Sequence, residues 1–272
     1  MTGVAAALPV ISRAERFTRV GSTNDIVRGW LAAGEPEVCL AVADEQTAGR
    51  GRHGRTWTAP PGSALLASLG FRPSWLAPDH AWRLAACVAL AMCDAAEAVA
   101  ALPTGAVRLK WPNDLVIEVA GPDAIELRKL AGVLGESEGL GSDDPRVVVG
   151  IGINADWAAD DFPAELAGSM TSLQEASGGL AIDRDALLAA FTERLEGRVE
   201  ALRGGAFDIA TWAGRQATTG RWVTIDDDPI AVRALGVDAA SGGLLVADTG
   251  DPARERIVHA GEVRRVRLAP GV

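Results

Sequence analysis

The sequence predicts an α/β (α+β) protein with two parts, a large domain of mixed helices and strands followed by a small all-β module. In the first part, short apolar runs typical of buried strands, such as 38–43 and 147–153, alternate with stretches such as 80–101 whose apolar residues recur at helical spacing. From about Gly220 the pattern changes to short alternating strands, which indicates a small barrel. These observations predict a domain at residues 1–217 and a barrel at residues 218–272.

The order of the predicted elements follows from apolar periodicity and from capping residues. Residues 1–16 are expected to be an irregular lead-in, followed by a strand at 17–20. A helix is then predicted, because Ser22 or Thr23 can cap its first turn and Gly34 can end it. The other predicted strands are 38–43, 63–71, 107–111, 115–119, 128–136, 147–153, 222–225, 230–234, 244–246, 256–258 and 263–268, and the other helices are 80–101, 207–214 and one of 183–203 that Asp183 caps and Gly204 closes.

The composition limits the functional class. The chain has 272 residues, enough to bury a core without disulfides or metals. Its formal net charge of −10 opposes general binding to nucleic acid. Cys39, Cys87 and Cys93 lie in apolar runs without paired spacing, which predicts reduced core residues of a cytosolic protein. Neither a signal peptide nor a membrane-spanning segment is predicted.

A segment rich in glycine and arginine, residues 44–57 (the Gly/Arg loop), organises the chain. It alternates Gly49, Gly51 and Gly54 with Arg50, Arg52 and Arg55. Glycine lets backbone N–H groups approach a ligand, and arginine offers a planar fork that fits phosphate or carboxylate oxygens. We therefore interpret the segment as a loop that closes over an anion. A solvated basic turn and a segment that contacts RNA are the alternatives from these residues alone.

Lysine usage is unusual. Of the 26 basic residues, only Lys110 and Lys129 are lysines. Because arginine serves almost everywhere else as the general cation, a retained lysine indicates that a compact, flexible ammonium is needed at that position. Both lysines are therefore candidate functional residues.

Five segments in a fixed order carry a resemblance to a known family. They are Gly21-Ser22-Thr23-Asn24, the loop 49–57, Lys110-Trp111-Pro112-Asn113-Asp114, Lys129-Leu130-Ala131-Gly132-Val133-Leu134-Gly135-Glu136 and Val149-Gly150-Ile151-Gly152-Ile153-Asn154. Over about residues 17–268 the chain closely resembles the biotin–protein ligases (biotin–[acetyl-CoA-carboxylase] ligases). The resemblance implies a mixed sheet backed by helices, related to class II aminoacyl-tRNA synthetases and lipoate ligases, and an SH3-like C-terminal barrel. Repressor-type members carry a DNA-binding winged helix before the Ser-Thr-Asn segment; only residues 1–20 precede it here, so we expect the short form.

The resemblance implies a two-step reaction. The carboxylate of biotin attacks the α-phosphate of ATP, with Mg²⁺, to give biotinyl-5′-AMP and pyrophosphate. A lysine of a carrier protein then attacks the acyl carbonyl and displaces AMP. The first step brings two anions together, so cations must offset their repulsion. Arg52 is the predicted catalytic arginine that orders the loop over the adenylate, and Lys129 is the predicted catalytic lysine between the biotin carboxylate and the α-phosphate.

The family pattern also assigns binding residues. For biotin they are Ser22, Thr23, Asn24, Gln46, Gly49, Arg50, Gly51, Arg52, Lys129, Gly132 and Gly152; for ATP and the adenylate they are Arg50, Arg52, Arg55, Trp57, Lys110, Asn113, Asp114, Lys129 and Asn154; Asp114 is the predicted Mg²⁺ ligand. Some keep a second interpretation. Trp57 covers adenine or anchors the returning loop, and Lys110 reaches phosphate or pairs with Asp44 or another acid. Asn113 and Asp114 orient ATP or form an ordinary turn.

The implied partner is the biotin carboxyl carrier protein of acyl-CoA carboxylases. Neither DNA nor membrane binding is expected, and the chain is expected to be a cytoplasmic monomer or weak homodimer. The nearest alternative is a lipoate or octanoate ligase on the same fold, which Lys129 would serve equally well, although the Gly/Arg loop favours biotin. A nucleic-acid binding module is opposed by the acidic charge and by the lack of interleaved aromatics. A protein that only binds biotin would leave the two lysines unexplained.

Overall fold

The computed structural model describes residues 11–121, 125–248, 254–259 and 261–267. The elements of the first part are β1 (Arg13–Phe17), α1 (Thr23–Ala32), β2 (Cys39–Ala43), β3 (Ala64–Phe71), α2 (Trp82–Val99), β4 (Val107–Lys110), β5 (Asp114–Ala120), β6 (Ile125–Glu138), β7 (Arg146–Asn154), α3 (Leu173–Ala176), α4 (Arg184–Arg203) and α5 (Ile209–Gly214). The second part contains β8 (Trp222–Ile225), β9 (Val232–Val237), β10 (Leu244–Ala247), β11 (Glu255–Val258) and β12 (Val263–Arg267).

The first seven strands form one sheet in the order β1-β2-β3-β7-β6-β5-β4. β1 and β2 run parallel, and the other neighbouring strands run antiparallel. The sheet is therefore mixed and is backed by helices, which confirms the fold class that the sequence predicts. In the part of the chain that the structure describes, no helix is long and apolar enough to cross a membrane.

The two faces of this sheet are covered differently, because successive side chains of a strand point to opposite faces. α2 and α4 cover one face, where Leu65, Leu69 and Phe71 of β3 join the main core. α1 packs on the other face, where its Val27 and Leu31 form a smaller cluster with β2. Because α1 contacts β2, β3 and β7, the part of this face over β6 and the end of β7 is left for the Gly/Arg loop and for a cavity.

The first strand differs from its predicted position. The prediction was 17–20 after an irregular lead-in, whereas β1 spans Arg13–Phe17. β1 is an edge strand that pairs on one side with β2, and its charged residues Glu15 and Arg16 are at least partly accessible. An edge strand of this kind offers no apolar run by which to recognise it. Similarly, β9 begins at Val232 and not at the predicted residue 230, because Ile230 is 62% exposed in the preceding turn.

Two predicted cap residues stand at the starts of their helices, but only one of them makes the capping hydrogen bond. The Asp183 side chain accepts hydrogen bonds from the backbone N–H groups of Asp185 and Ala186, which confirms it as the cap of α4. Ser22 occupies the cap position of α1, but its side chain makes no capping hydrogen bond. Ser22 lines the cavity described below.

The last five strands form a second sheet, in the order β11-β10-β9-β8-β12, with its own buried cluster. Among the described residues this sheet is open, so the closed SH3-like barrel is not confirmed. Trp111 joins the two sheets: its ring lies in the second cluster and its Nε1 donates to the carbonyl oxygen of Gly242 at 3.1 Å. The predicted end of the last strand, residue 268, lies outside the described residues.

Candidate active site

Most of the predicted site residues surround one cavity of about 120 Å³ on the α1 face of the main sheet. The predicted residues that line it are Ser22, Thr23, Asn24, Gln46, Arg50, Gly51, Arg52, Arg55, Trp57, Asn113, Asp114, Lys129, Gly132 and Gly152. Gly49, Lys110 and Asn154 do not line it. Residues separated by more than a hundred positions in the chain therefore meet at one place, as the motif spacing predicts.

One end of the cavity, which we call the polar end, is bounded by a hydrogen-bond network of Thr23, Asn24, Gln46, Ser68 and Glu136, of which Thr23, Asn24 and Ser68 are buried. Gln46 Oε1 accepts from the backbone N–H of Thr23 at 2.7 Å and lies 3.0 Å from the Thr23 hydroxyl. The Ser68 hydroxyl lies 2.7 Å from Thr23 Oγ1 and 2.6 Å from Asn24 Oδ1. Asn24 Nδ2 donates to Glu136 at 2.6 Å. Since the network spans α1, β3, β6 and the loop, its geometry is fixed by the fold.

Glycines on β7 make room for these groups. A side chain at Gly150 would overlap the amide of Asn24, and a Cβ at Gly152 would lie 2.7 Å from the indole of Trp57. Trp57 therefore lies flat on the floor of the cavity, over Gly152 and close to Gly132. The Trp57 indole nitrogen is buried without a hydrogen-bond partner among the described residues. The floor is thus a flat, apolar surface with one available N–H donor.

Gly49 shapes the loop and does not contact the cavity. The backbone N–H of Trp57 donates to the carbonyl oxygen of Gly49 at 3.0 Å, and this bond closes the base of the loop. A Cβ at Gly49 would lie 2.5 Å from the carbonyl oxygen of Trp57. This position therefore admits only glycine without a shift of the backbone.

The other end, which we call the charged end, centres on Lys129. Its Nζ lies 2.7 Å from Asp114 and 5.5 Å from the centre of the Trp57 ring. Asp114 opens β5, and the side chain of the preceding Asn113 donates to the carbonyl oxygen of Val133 at 3.0 Å. Asn113 thus lies in the turn between β4 and β5, and Asp114 begins β5, where its carboxylate is held against the lysine.

The backbone of Lys129 is hydrogen-bonded to the segment 169–171, because β6 pairs with β7 only from Ala131 onward. Its N–H donates to the carbonyl oxygen of Ser169 at 2.8 Å, and its carbonyl oxygen accepts from the N–H of Thr171 at 2.9 Å. Asn154 supports this segment, because its Nδ2 donates to the carbonyl oxygen of Thr171 at 2.9 Å. Asn154 is fully buried, and its Oδ1 has no partner among the described residues. In this structure Asn154 thus acts on the segment that holds Lys129.

Two arginines of the Gly/Arg loop pair with α1 and with Glu262, the residue before β12. Arg50 donates to both carboxylate oxygens of Asp25 at 2.7 Å, and this hydrogen bonding lowers the pKa of Asp25 below its usual range. Arg55 forms a two-pronged ion pair with Glu262, with one bond of 2.8 Å. The hydrogen bond from Arg55 is the main cause that lowers the pKa of Glu262.

The third arginine, Arg52, also contacts the second sheet. Its Nη1 donates to the carbonyl oxygen of Gly261 at 3.1 Å. The loop is therefore fastened between α1 on one side and the segment before β12 on the other. All three guanidinium groups already have protein partners in this arrangement.

Lys110 lies outside the first cavity and lines an adjoining one of about 440 Å³, between α2, the β4–β5 turn and the second sheet. Arg52, Asn113 and Asp114 line both cavities. Burial lowers the pKa of Lys110 below its usual range, whereas the negative charge of Asp114 acts to raise it. The proposed pairing with Asp44 is not found.

Asp44 has other partners. It lies 2.9 Å from Arg16 and 3.0 Å from Arg184. Burial acts to raise the pKa of Asp44, but hydrogen bonds from these two arginines outweigh burial and lower it. Asp44 therefore fastens β2 to β1 and α4, away from Lys110.

Sequence reasoning missed several residues of this site. Ser68 and Glu136 belong to the polar end, and Glu262 lines the cavity from the second part of the chain. Ser68 stands in an apolar strand and Glu262 follows no motif, so nothing in the sequence marks them. Gly150 could be recognised in the sequence as a candidate site residue, because it alternates with Gly152 among β-branched residues.

Among the residues that the structure describes, no cluster of three or more His, Cys, Asp or Glu side chains could hold a metal ion. Asp114, the predicted Mg²⁺ ligand, instead contacts Lys129. Mg²⁺ commonly uses one or two carboxylates together with substrate phosphates, so this donor set suits a metal that arrives with a nucleotide.

Comparison with known proteins gives a consistent result. The sequence profile of the biotin/lipoate A/B protein ligase family matches residues 17–154, just over half of the chain. A biotin--[acetyl-CoA-carboxylase] ligase of Mycobacterium tuberculosis is 32% identical over 254 residues, covering 92% of this chain and 87% of that protein. The ligase of the same name from Paracoccus denitrificans is 31% identical, covering 86% and 92%. The bifunctional ligase/repressor BirA of Bacillus spizizenii is 38% identical, but the match covers 58% of this chain and 45% of that protein.

Solved structures agree with the sequence relatives. The biotin protein ligase of Aquifex aeolicus in complex with biotin and ATP superposes with a TM-score of 0.74 and 25% identity, covering 93% of this chain and 97% of that one. The biotin protein ligase of Leishmania major in complex with biotinyl-5-AMP shares the fold with a TM-score of 0.58 over 93% of this chain and 100% of that one, at 24% identity. The extent of these matches, together with the profile match, shows that the chain belongs to the biotin/lipoate A/B protein ligase family.

Proposed function

We propose that this protein is an ATP-dependent biotin–protein ligase. It joins biotin to a lysine of a biotin carboxyl carrier protein through biotinyl-5′-AMP and releases pyrophosphate and AMP. The observation that carries the proposal is one continuous cavity with a polar network at one end, a flat glycine floor, and Lys129 beside Asp114 at the other end. The relatives named as biotin–[acetyl-CoA-carboxylase] ligases, and the neighbour solved with biotin and ATP, support it.

Biotin fits this layout from end to end. Its ureido group has donors and an acceptor that pair with Thr23, Asn24 and Gln46, with Ser22 beside them, and its apolar body lies along the floor. Its carboxylate then reaches Lys129. The 120 Å³ cavity is smaller than the roughly 300–1,000 Å³ typical of small-molecule sites, so we expect the Trp57 indole to move when biotin binds.

Adenylation needs the carboxylate and the α-phosphate to approach each other. The Lys129 ammonium offers a point charge between the two anions, and Asp114 orients it beforehand. Asp114 and Asn113 are the residues that would hold Mg²⁺ together with ATP; the metal would supply charge neutralisation at the phosphates. Arg52 and Arg55 are proposed to turn from their present partners toward the nucleotide and to exclude water from the mixed anhydride.

Transfer to the carrier requires only that its lysine reach the acyl carbon. The amine attacks that carbon, AMP leaves, and the proton passes to solvent, so the step does not call for a protein base. We propose that Lys110, in the adjoining cavity, contacts the nucleotide. Arg50 and Gly51 of the loop are proposed to contact biotin, and Arg50 is also proposed to contact the nucleotide.

We propose that residues 1–217 form the catalytic domain and that residues 218–272 form an SH3-like barrel. We propose a cytoplasmic protein, monomeric or weakly dimeric, that uses Mg²⁺ and binds neither DNA nor membrane. The net charge of −10 supports the absence of nucleic-acid binding.

A lipoate or octanoate ligase is the second candidate, because the family includes both classes. The polar end disfavours it. Lipoate and octanoate carry no urea, so they would leave buried donors and acceptors at Thr23, Asn24 and Gln46 without partners, at a cost of about 1–3 kcal/mol for each group.

The test is acid-dependent exchange of pyrophosphate into ATP in the presence of magnesium. Biotin, octanoate, lipoate and no acid are compared on the same folded sample. Exchange with biotin alone is expected. Exchange with lipoate or octanoate would transfer the assignment to the second candidate, and no exchange with any acid would refute the ligase assignment.

A further inference from the structure

We propose that Ser68 and Glu136, neither of which lines the cavity, are positioning residues that fix the direction of hydrogen bonding at the polar end and so select a cyclic urea. This inference rests on the proposed function, since it concerns how the head group of biotin is recognised. It assigns roles to Ser68, which lies outside the motifs, and to Glu136, which ends one of them without a predicted role.

Glu136 fixes the amide of Asn24. Asn24 Nδ2 donates to Glu136 Oε2 at 2.6 Å, and an ionised carboxylate can only accept. Arg28 lies 2.9 Å and Arg50 3.5 Å from the same oxygen, so every neighbour of this oxygen is a hydrogen-bond donor. The Asn24 amide therefore has one orientation, with Nδ2 toward Glu136 and Oδ1 toward Ser68.

Ser68 then fixes the hydroxyl protons. Ser68 is fully buried, and its Oγ lies 2.6 Å from Asn24 Oδ1, which can only accept. The single Ser68 proton is thus committed to Asn24. The Thr23 proton has two acceptors, Ser68 Oγ at 2.7 Å and Gln46 Oε1 at 3.0 Å, and both belong to the network. Whichever it uses, both hydroxyl protons point away from the cavity.

The cavity side therefore presents a defined pattern. Thr23 Oγ1 offers lone pairs to a ligand donor. Gln46 uses its Oε1 on the N–H of Thr23, so its Nε2 remains a donor, and Asn24 has a second N–H beyond the one given to Glu136. A cyclic urea carries N–H donors beside one carbonyl acceptor, which is the complementary pattern.

Removal of the Ser68 hydroxyl would undo this order. Asn24 Oδ1 would lose its donor, and the Thr23 proton could turn toward the cavity, where it would oppose a ligand N–H. We expect Ser68→Ala to weaken biotin binding about ten-fold, as for a buried acceptor left without its partner. The KM for ATP is expected to change less than about two-fold, because Ser68 lies at the opposite end from Asp114.

The test is calorimetric titration with biotin and with the analogue whose ureido oxygen is replaced by an imino group. Wild type is expected to prefer biotin strongly, and Ser68→Ala to weaken the binding of both ligands, because both carry the ring N–H groups that the turned Thr23 proton would oppose. Ser68→Cys keeps nearly the same volume with a weak donor, and serves if the alanine variant does not fold. Thr192→Val is the matched control: it removes another buried hydroxyl, bonded to the carbonyl oxygen of Leu188 in α4, and should leave both affinities unchanged.

Glu136 is tested by rescue. Glu136→Ala should narrow the preference for biotin, whereas Glu136→Gln should retain most of it, because glutamine can turn its carbonyl oxygen toward Asn24 Nδ2. Unchanged biotin affinity in Ser68→Ala, or equal losses of biotin and imino-analogue affinity in Glu136→Ala, would overturn the proposal. Failure of the wild type to bind biotin would instead refute the proposed function.

Discussion

The two ends of the cavity are built in opposite ways. At the polar end, the buried neutral side chains of α1 and β3 and the partly buried Gln46 of the loop are bonded to one another in one arrangement. At the charged end, Lys129 pairs with Asp114, and the loop arginines pair with accessible carboxylates and a carbonyl oxygen. The polar end is thus preorganised, whereas the charged end holds its cations in ion pairs. In the proposed function, the first end recognises biotin, and ATP exchanges the ion pairs of the second end, where the chemistry takes place.

The largest expected effect comes from removal of the central cation. Lys129→Ala should reduce biotin-dependent pyrophosphate exchange by more than about 100-fold, because the point charge proposed to lie between the carboxylate and the α-phosphate is then missing. Lys129→Arg keeps the charge but not the compact ammonium, and an intermediate rate is expected from it. Normal exchange by a folded Lys129→Ala protein would remove this lysine from the mechanism.

A single added methyl group should disrupt the hydrogen bonds of the polar end. Gly150→Ala should weaken biotin binding about 10- to 100-fold, because the new Cβ would displace the Asn24 amide from Glu136. The KM for ATP should change little, since the charged end is untouched.

Gly29→Ala is the matched control for this substitution. Gly29 lies inside α1, and a Cβ there meets nothing within 4 Å. It should leave the activity unchanged and raise the free energy of unfolding by up to about 1 kcal/mol, as expected for alanine in a helix interior. Equal biotin affinity for both variants and the wild type would show that the polar end is not preorganised as described.

The loop fastening is tested by Arg52→Ala. The variant lacks both the bond to the Gly261 carbonyl oxygen and the proposed contact of Arg52 with the adenylate, so the loop should not stay closed and biotinyl-5′-AMP should escape about ten-fold faster than from the wild type. Single-turnover experiments with labelled biotin can measure the retained intermediate. Arg194→Ala, an arginine of α4 that bonds within its own helix, should behave as wild type. Equal retention by Arg52→Ala would exclude this arginine from closing the loop.

The sequence predicted the residues that line the cavity better than the residue behind them that positions their hydrogen bonds. Thr23, Gln46 and Lys129 were found because each stands in a motif whose spacing carries information. Ser68 was not found, because a serine in an apolar strand is indistinguishable from a residue that merely tolerates burial. Its role depends on α1 crossing β3, which is a tertiary contact.

The partners of the loop arginines could not be predicted for a related reason. The residue types predicted anion contacts, whereas the structure places Arg55 on Glu262, far away in the chain. Which carboxylate meets a surface arginine depends on how the second sheet docks on the first, and local patterns do not encode that docking. The bounds of the edge strand β1 were not predicted for a similar reason. Its position is set by pairing with β2, and it has no apolar run of the kind that marks an interior strand.

The smallest expected effect concerns the Arg55–Glu262 pair and depends on pH. The Arg55 hydrogen bond lowers the pKa of Glu262, so the folded protein holds this carboxylate in its charged form more strongly than the unfolded chain does. The stabilisation is therefore present above the unfolded pKa, which is about 4.3 for glutamate, and is lost as the pH falls through the lower folded value. Because Arg55 is 48% exposed, the contribution should not exceed about 1 kcal/mol. Urea unfolding of the wild type and Glu262→Gln should thus differ slightly at pH 7 and converge in acid; a difference that persisted in acid would show that Glu262 stabilises the junction by packing and not by charge.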